Sequence, residues 1–127
     1  MNRARMSRPV VEQLRALCLA FPETTEAPSW GHPNFRAGKR TFSAFEIIKG
    51  RPSIAFRVDA ADAPLLLRKR SFFATPYGRG RWVSVWVDGR VDWRLVERLL
   101  DRSYRTVATR PMIAALDRPA PMSTLEP

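Results

Sequence analysis

The stretch Arg81–Tyr104, RWVSVWVDGRVDWRLVERLLDRSY, decides how the rest of the chain is read. Val83, Val85 and Val87 alternate strictly with Trp82, Ser84 and Trp86, the period of a strand with one apolar face. Asp88-Gly89 marks a turn, since glycine readily adopts the positive φ that tight turns need. Asp92 then stands at a helix N-cap position, where its carboxylate can accept from the first free backbone N–H groups. Beyond it Val96, Leu99, Leu100, Tyr104 and Val107 recur at helical spacing. A strand feeds a helix, and the valine face and the leucine stripe close on each other as half of a core.

Outward from this unit the same two periods organise the chain. Val10, Val11, Leu14, Leu17, Cys18 and Phe21 form an apolar stripe, predicting a first helix over 8–20 with Ser7 as its N-cap and Phe21-Pro22 as its end. Residues 23–33 lack periodicity and read as an ordered loop carrying Trp30-Gly31-His32-Pro33. Asn34–Ala37 and Thr41–Ile48 are predicted strands joined by Gly38-Lys39-Arg40. Pro52, Ile54, Phe56 and Val58 alternate with Arg51, Ser53, Ala55 and Arg57, giving a strand with one apolar and one basic face. Phe42 and Phe45 fall on opposite faces of their strand, which points to a bulge. Asp59 or Asp62 caps a short helix holding Leu65, Leu66 and Leu67, and Phe72-Phe73 marks a short strand. Helices between runs of hairpin strands specify an α+β two-layer domain, a mostly antiparallel sheet with helices on one face. The expected organisation is a flexible basic lead-in over 1–6, one domain over 7–110 and a proline-rich tail over 111–127, with one more helical turn around Met112.

With 127 residues and an apolar fraction of 45%, the chain is expected to fold as a single globular domain. No apolar run approaches the roughly 20 residues of a membrane span, and no signal-peptide pattern is apparent, so a cytoplasmic protein without membrane partners is expected. Cys18 is the one cysteine, which excludes an internal disulfide. The charge is the informative total: 22 Lys and Arg against 12 Asp and Glu give a formal +10. All but Lys39, Lys49 and Lys69 of those cations are arginine. Such a field attracts polyanions, nucleic acid first.

No catalytic or metal constellation is apparent. His32 has no second histidine and no evident nucleophile to serve, and reads as shaping its loop. Cofactors and metals are not expected, nor is enzymatic activity. Gly78-Arg79-Gly80-Arg81 has neither the ending nor the spacing of a phosphate-binding loop, yet could contact phosphate through its N–H groups and arginines. The stronger candidate is a sheet face. If the valines point to the helices, Trp82 and Trp86 point away, as do Arg51 and Arg57 on the neighbouring strand. Arg36, Lys39, Arg40, Arg79 and Arg81 lie on adjoining strand ends and turns, as does Lys49. Indole faces between guanidinium groups suit single-stranded bases and phosphates.

Several segments taken in order resemble the MmcQ/YjbR family of small bacterial proteins. They are Leu19–Glu26 (LAFPETTE), Trp30–Arg36 (WGHPNFR), Lys39–Phe42, Phe72–Tyr77 (FFATPY), Arg81–Val83, Asp92-Trp93 and Leu99–Tyr104 (LLDRSY). The resemblance implies a two-layer α+β fold like that of secretion chaperones. It also implies the label of DNA-binding protein, with no catalytic residues to carry over. Pro64 and the proline-rich tail depart from the usual pattern. The expected function is therefore non-enzymatic, electrostatic nucleic-acid binding. The alternative is a protein-interaction or chaperone-like module whose open sheet face makes a homodimer or holds a peptide.

Overall fold

The computed structural model describes residues 9–119. The expected Ser7 cap, the lead-in and the far end of the proline-rich tail lie outside them. In chain order the elements are α1 (Val10–Leu19), β1 (Thr24–Ser29), β2 (His32–Ala37), β3 (Arg40–Ile48), β4 (Arg51–Arg57), α2 (Ala63–Leu66), β5 (Phe72–Ala74), β6 (Trp82–Trp86), α3 (Trp93–Val107) and α4 (Arg110–Asp117). The strands form one six-stranded sheet in the order β1-β2-β3-β4-β6-β5, antiparallel throughout.

The strand–helix unit of the opening stretch is present as its periodicity dictates. In β6 Val83 is sealed in the core, and Val87 just beyond it likewise, while Val85 is half-buried against the same cluster. Asp92 caps α3, its Oδ1 accepting from Leu95 N at 3.2 Å. Val96, Leu99, Leu100, Tyr104 and Val107 are all buried. The core also takes Leu14 and Cys18 from α1, Phe35 from β2, Ile54 and Phe56 from β4 and Leu66 from α2. All four helices contribute to this one cluster, so they cover a single face of the sheet. Burial pushes the Cys18 thiol well above its usual range, as for an inert core residue.

The bulge in β3 has a clear purpose. The β2–β3 register slips between Phe35 and Arg36, so Phe42 is an extra residue between Thr41 and Ser43. The slip lets both Phe42 and Phe45 reach the core despite their odd spacing. Phe42 meets Tyr104 edge-on at 5.5 Å between centroids, and Tyr104 stacks on Phe21 at 4.7 Å. The Tyr104 hydroxyl donates to the Pro22 carbonyl at 2.7 Å, tying α3 to the end of α1.

Two expectations need correction. Residues 24–29, read from the sequence as loop, form edge strand β1, and His32 opens β2. β1 pairs on one side only, so it shows no buried–exposed alternation, and its backbone ladder to β2 alone defines it. In α2 the Asp62 side chain makes no cap; it accepts from Arg102 at 2.5 Å and so ties α2 to α3. Within the region read as tail, α4 packs Met112 into the core. Arg105 holds α4 in place by bridging Asp101 and Asp117 at 2.8 and 2.6 Å.

Tyr104→Phe keeps the ring stacks but strands the Pro22 carbonyl, and should cost about 1–3 kcal/mol. Tyr104→Ala should cost about 3–5 kcal/mol. Urea denaturation at unchanged m-value measures both; equal losses would place the whole effect in the hydroxyl.

Candidate nucleic-acid interface

The sheet face away from the helices is built from the alternate residues of each strand. The register aligns Ala27, Asn34, Ala44, Ala55, Ser84 and Phe73 across all six strands. Ala44 and Ala55 are buried there without belonging to the helix-side core. Short side chains thus form a middle row from β1 to β6, ended by Phe73 on β5, with larger ones on either side of it.

On one side of that row lie the C-terminal ends of β2, β4 and β5 and the N-terminal ends of β3 and β6. Antiparallel pairing therefore gathers Arg36, Lys39, Arg40, Arg57, Arg79, Arg81 and Trp82 at a single end of the sheet. From Arg36 on β2 to Trp82 on β6 is three strand spacings, about 14 Å. None of these cations forms an ion pair among the described residues. Arg57 is half-buried beside Trp82, its Nε enclosed and without a hydrogen-bond partner there. Glu46 is the single carboxylate at an outward-facing strand position among the described residues. The ion-paired acids Glu26, Asp62, Asp101 and Asp117 bond to arginines that belong to the helices.

Arg51 and Trp86 stand at the opposite end and are occupied with each other. The Arg51 guanidinium carbon lies 4.0 Å from the centroid of the Trp86 ring, and Phe73 stacks on the same ring at 4.1 Å from β5. Arg51 Nε also donates to Asp88 at 2.6 Å, which holds the Asp88 carboxyl below the usual carboxylate range. Contacts from the strands on both sides of β6 thus take up the two faces of this indole. Lys49 lies at this end too, exposed in the β3–β4 turn. His32, half-buried at the start of β2, shares it; its carbonyl accepts from the Asn34 side chain at 3.0 Å.

The loop between β5 and β6 carries a residue that periodicity could not reveal. Tyr77 is fully exposed and holds φ 63°, and Arg79 holds φ 55°, both in the left-handed region that non-glycine residues rarely adopt. Two consecutive turns fix the loop, Gly78 N donating to Thr75 O at 2.9 Å and Arg81 N to Gly78 O at 3.0 Å. The Thr75 and Ser84 hydroxyls, 2.7 Å apart, pin its start to β6. Gly78 is required by space: a Cβ there would lie 2.8 Å from the Trp82 Cβ and 2.9 Å from Thr75 O. An aromatic ring is held out in solvent in the loop that carries Arg79 and Arg81, at the end of the sheet where the unpaired cations gather. A turn side chain has no partner position in any repeat, so the sequence signal was limited to the Tyr-Gly-Arg-Gly-Arg succession itself.

A six-stranded antiparallel sheet with helices on one face is a two-layer α+β architecture shared with several solved structures. The YjbR family model matches residues 19–106, and the chain belongs to that family. A Deinococcus radiodurans protein, DR2400, described with a DUF419 domain, superposes with TM-score 0.67 at 24% identity, over 86% of this chain and 88% of that one. A Pseudomonas syringae protein gives TM-score 0.66 at 15% identity, over 84% and 98% of the two chains. A DUF1801-family protein from Bacillus subtilis is more distant, with TM-score 0.52 at 18% identity over 72% of each. No curated protein matches. At these identities the structures establish the fold. Among the described residues no His, Cys, Asp and Glu cluster could hold a metal ion, and no helix is long and apolar enough to cross a membrane.

Two outcomes follow from the geometry. Gly78→Ala should force the loop apart, and proteolysis at Tyr77–Arg81 should quicken while the core unfolds at nearly the wild-type urea midpoint. The Arg51–Asp88 contact depends on an ionised carboxylate whose folded pKa is depressed. Its contribution is complete above the unfolded value of about 4 and is lost as pH falls through the lower folded value. The Trp86 indole N–H resonance should therefore shift on acidification below that range, and should already be shifted at neutral pH in Asp88→Asn.

Proposed function

We propose that this protein is a non-enzymatic nucleic-acid-binding domain that holds single-stranded segments at the Arg57/Trp82 end of its open sheet face. The observation that carries the reading is the gathering of Arg36, Lys39, Arg40, Arg57, Arg79 and Arg81 at one sheet end, without ion pairs among the described residues. The formal +10 charge supplies the long-range attraction. Phosphates bind the arginine strip, and a base stacks on Tyr77, the exposed ring in the β5–β6 loop at the edge of that end. Trp82 is half-buried behind that loop and supports it. Trp86 takes a structural part in this reading, because Phe73 and Arg51 already occupy its ring. Among the described residues no helix with a polar groove-facing side accompanies the strip, so binding is sequence-tolerant.

Titration with single- and double-stranded oligonucleotides at several salt concentrations tests this. The plot of log K against log salt should fall with a slope of about −0.7 per phosphate contact for single strands. Arg57→Ala or Arg81→Ala should weaken all sequences alike and flatten the slope by about one contact each. Tyr77→Ala should lower single-strand affinity by about 1–3 kcal/mol at unchanged slope. Trp86→Ala should lower stability and leave affinity nearly unchanged. Absence of binding at low salt would defeat the reading, as would a loss confined to Trp86→Ala accompanied by dissociation of a dimer.

A further inference from the structure

A cleft of about 350 Å³ opens on the helix side of the sheet, between the β5–β6 edge and the first turns of α3. Its wall is apolar: Phe72, Val85, Val87, Leu95 and Val96 line it. Lys69 and Arg70, from the connection after α2, and Arg90, from the connection before α3, are exposed at its rim. None of the three forms an ion pair among the described residues. The carboxylate in the lining, Asp92, already accepts from Leu95 N as the cap of α3. The cleft also explains an irregularity of the core. Val83 and Val87 are sealed, yet Val85 between them is half-buried because it faces this opening.

We propose that this cleft binds a small amphipathic acid, an apolar body carrying one anionic head. The apolar wall takes the body, in the place where the core is left unsealed. The three cations come from two separate connections and converge on the mouth, where they receive the head by charge-assisted hydrogen bonds. A neutral or cationic ligand would leave that positive rim uncompensated. The volume lies at the low end of the roughly 300–1,000 Å³ of small-molecule sites, which matches a small ligand. The cleft lies on the face opposite the arginine strip, so this inference stands or falls independently of the proposed nucleic-acid binding.

The test uses 8-anilinonaphthalene-1-sulfonate, an aromatic body with one sulfonate, against the full-length native protein. Saturable binding at one site is expected, with no change in far-UV dichroism. An uncharged analogue, N-phenyl-1-naphthylamine, should bind more weakly. Octanoate or octyl phosphate should displace the probe at concentrations where octanol does not, the stronger of the two acids naming the preferred head. Arg70→Gln with Arg90→Gln should weaken the probe by about tenfold or more and leave the uncharged analogue unchanged. Val85→Phe, which fills the cleft, should abolish binding of both; the paired arginine variant decides the matter if that protein does not fold. Non-saturable binding, equal displacement by octanol, or full affinity in the arginine variant would overturn the proposal.

Discussion

The buried ring of Tyr104 is the joint on which the two layers depend. It is stacked on Phe21 at the end of α1, meets Phe42 at the β3 bulge, and donates its hydroxyl to the Pro22 carbonyl. One side chain of α3 thus fixes the helix layer against the sheet and sets where the chain leaves α1 for β1. Its polar tip is satisfied, so full burial carries no penalty for an orphaned hydroxyl. The β3 bulge exists in the same contact: without the extra residue, Phe42 would point to the open face and Tyr104 would lose its edge-on partner.

With the helices committed to one face, the sheet divides the chemistry of the molecule. Acidic side chains pair with arginines of the helices, through Arg15–Glu26, Arg102–Asp62 and Arg105 with Asp101 and Asp117. These exposed pairs are individually weak, but all except Arg105–Asp101, which lies within α3, join two elements, so their value is positional. Arg51–Asp88 is the corresponding pair near the open face, and it locks an aromatic stack. The arginines at the other end of that face have no such partners among the described residues. A surplus of charge left over from structural pairing is thus gathered at one end of the open face by strand direction alone, and it is this surplus that the proposed polyanion binding draws on.

The parts of the fold legible in the sequence are those where one face is buried and the other is not. The valine alternation of β6, the leucine stripe of α3 and the Asp92 cap each express a local period or a local bond, and all three stand in the structure. Edge strand β1 was illegible because a strand paired on one side and partly exposed on both faces needs no alternation. Side-chain direction was likewise legible where accessibility was not. Trp86 does point away from the helices, as parity requires. Its half-burial is the work of Phe73, which lies too close to Phe72 for sequence to say which of the pair turns outward. Conversely Tyr77 lies in a turn, outside any period, and its exposure follows from backbone geometry alone.

That geometry bears on why the loop before β6 is built as it is. Left-handed conformations at Tyr77 and Arg79 each carry strain on the order of 1–3 kcal/mol, which glycine at those positions would avoid. The surrounding bonds hold them there: Gly78 sits where no Cβ fits, the turn carbonyls are satisfied in succession, and the Thr75–Ser84 hydroxyl contact anchors the start to the strand. The result is that an aromatic ring stays in solvent instead of collapsing onto the neighbouring apolar row. A ring ordered in advance forfeits little further conformational freedom when a flat partner stacks on it, so more of the stacking energy is retained as affinity. The strained backbone, the missing Cβ and the exposed ring are therefore one device. It sits at the same end of the sheet as the unpaired arginines, away from the occupied Trp86 stack, which is where the proposed binding requires a free ring.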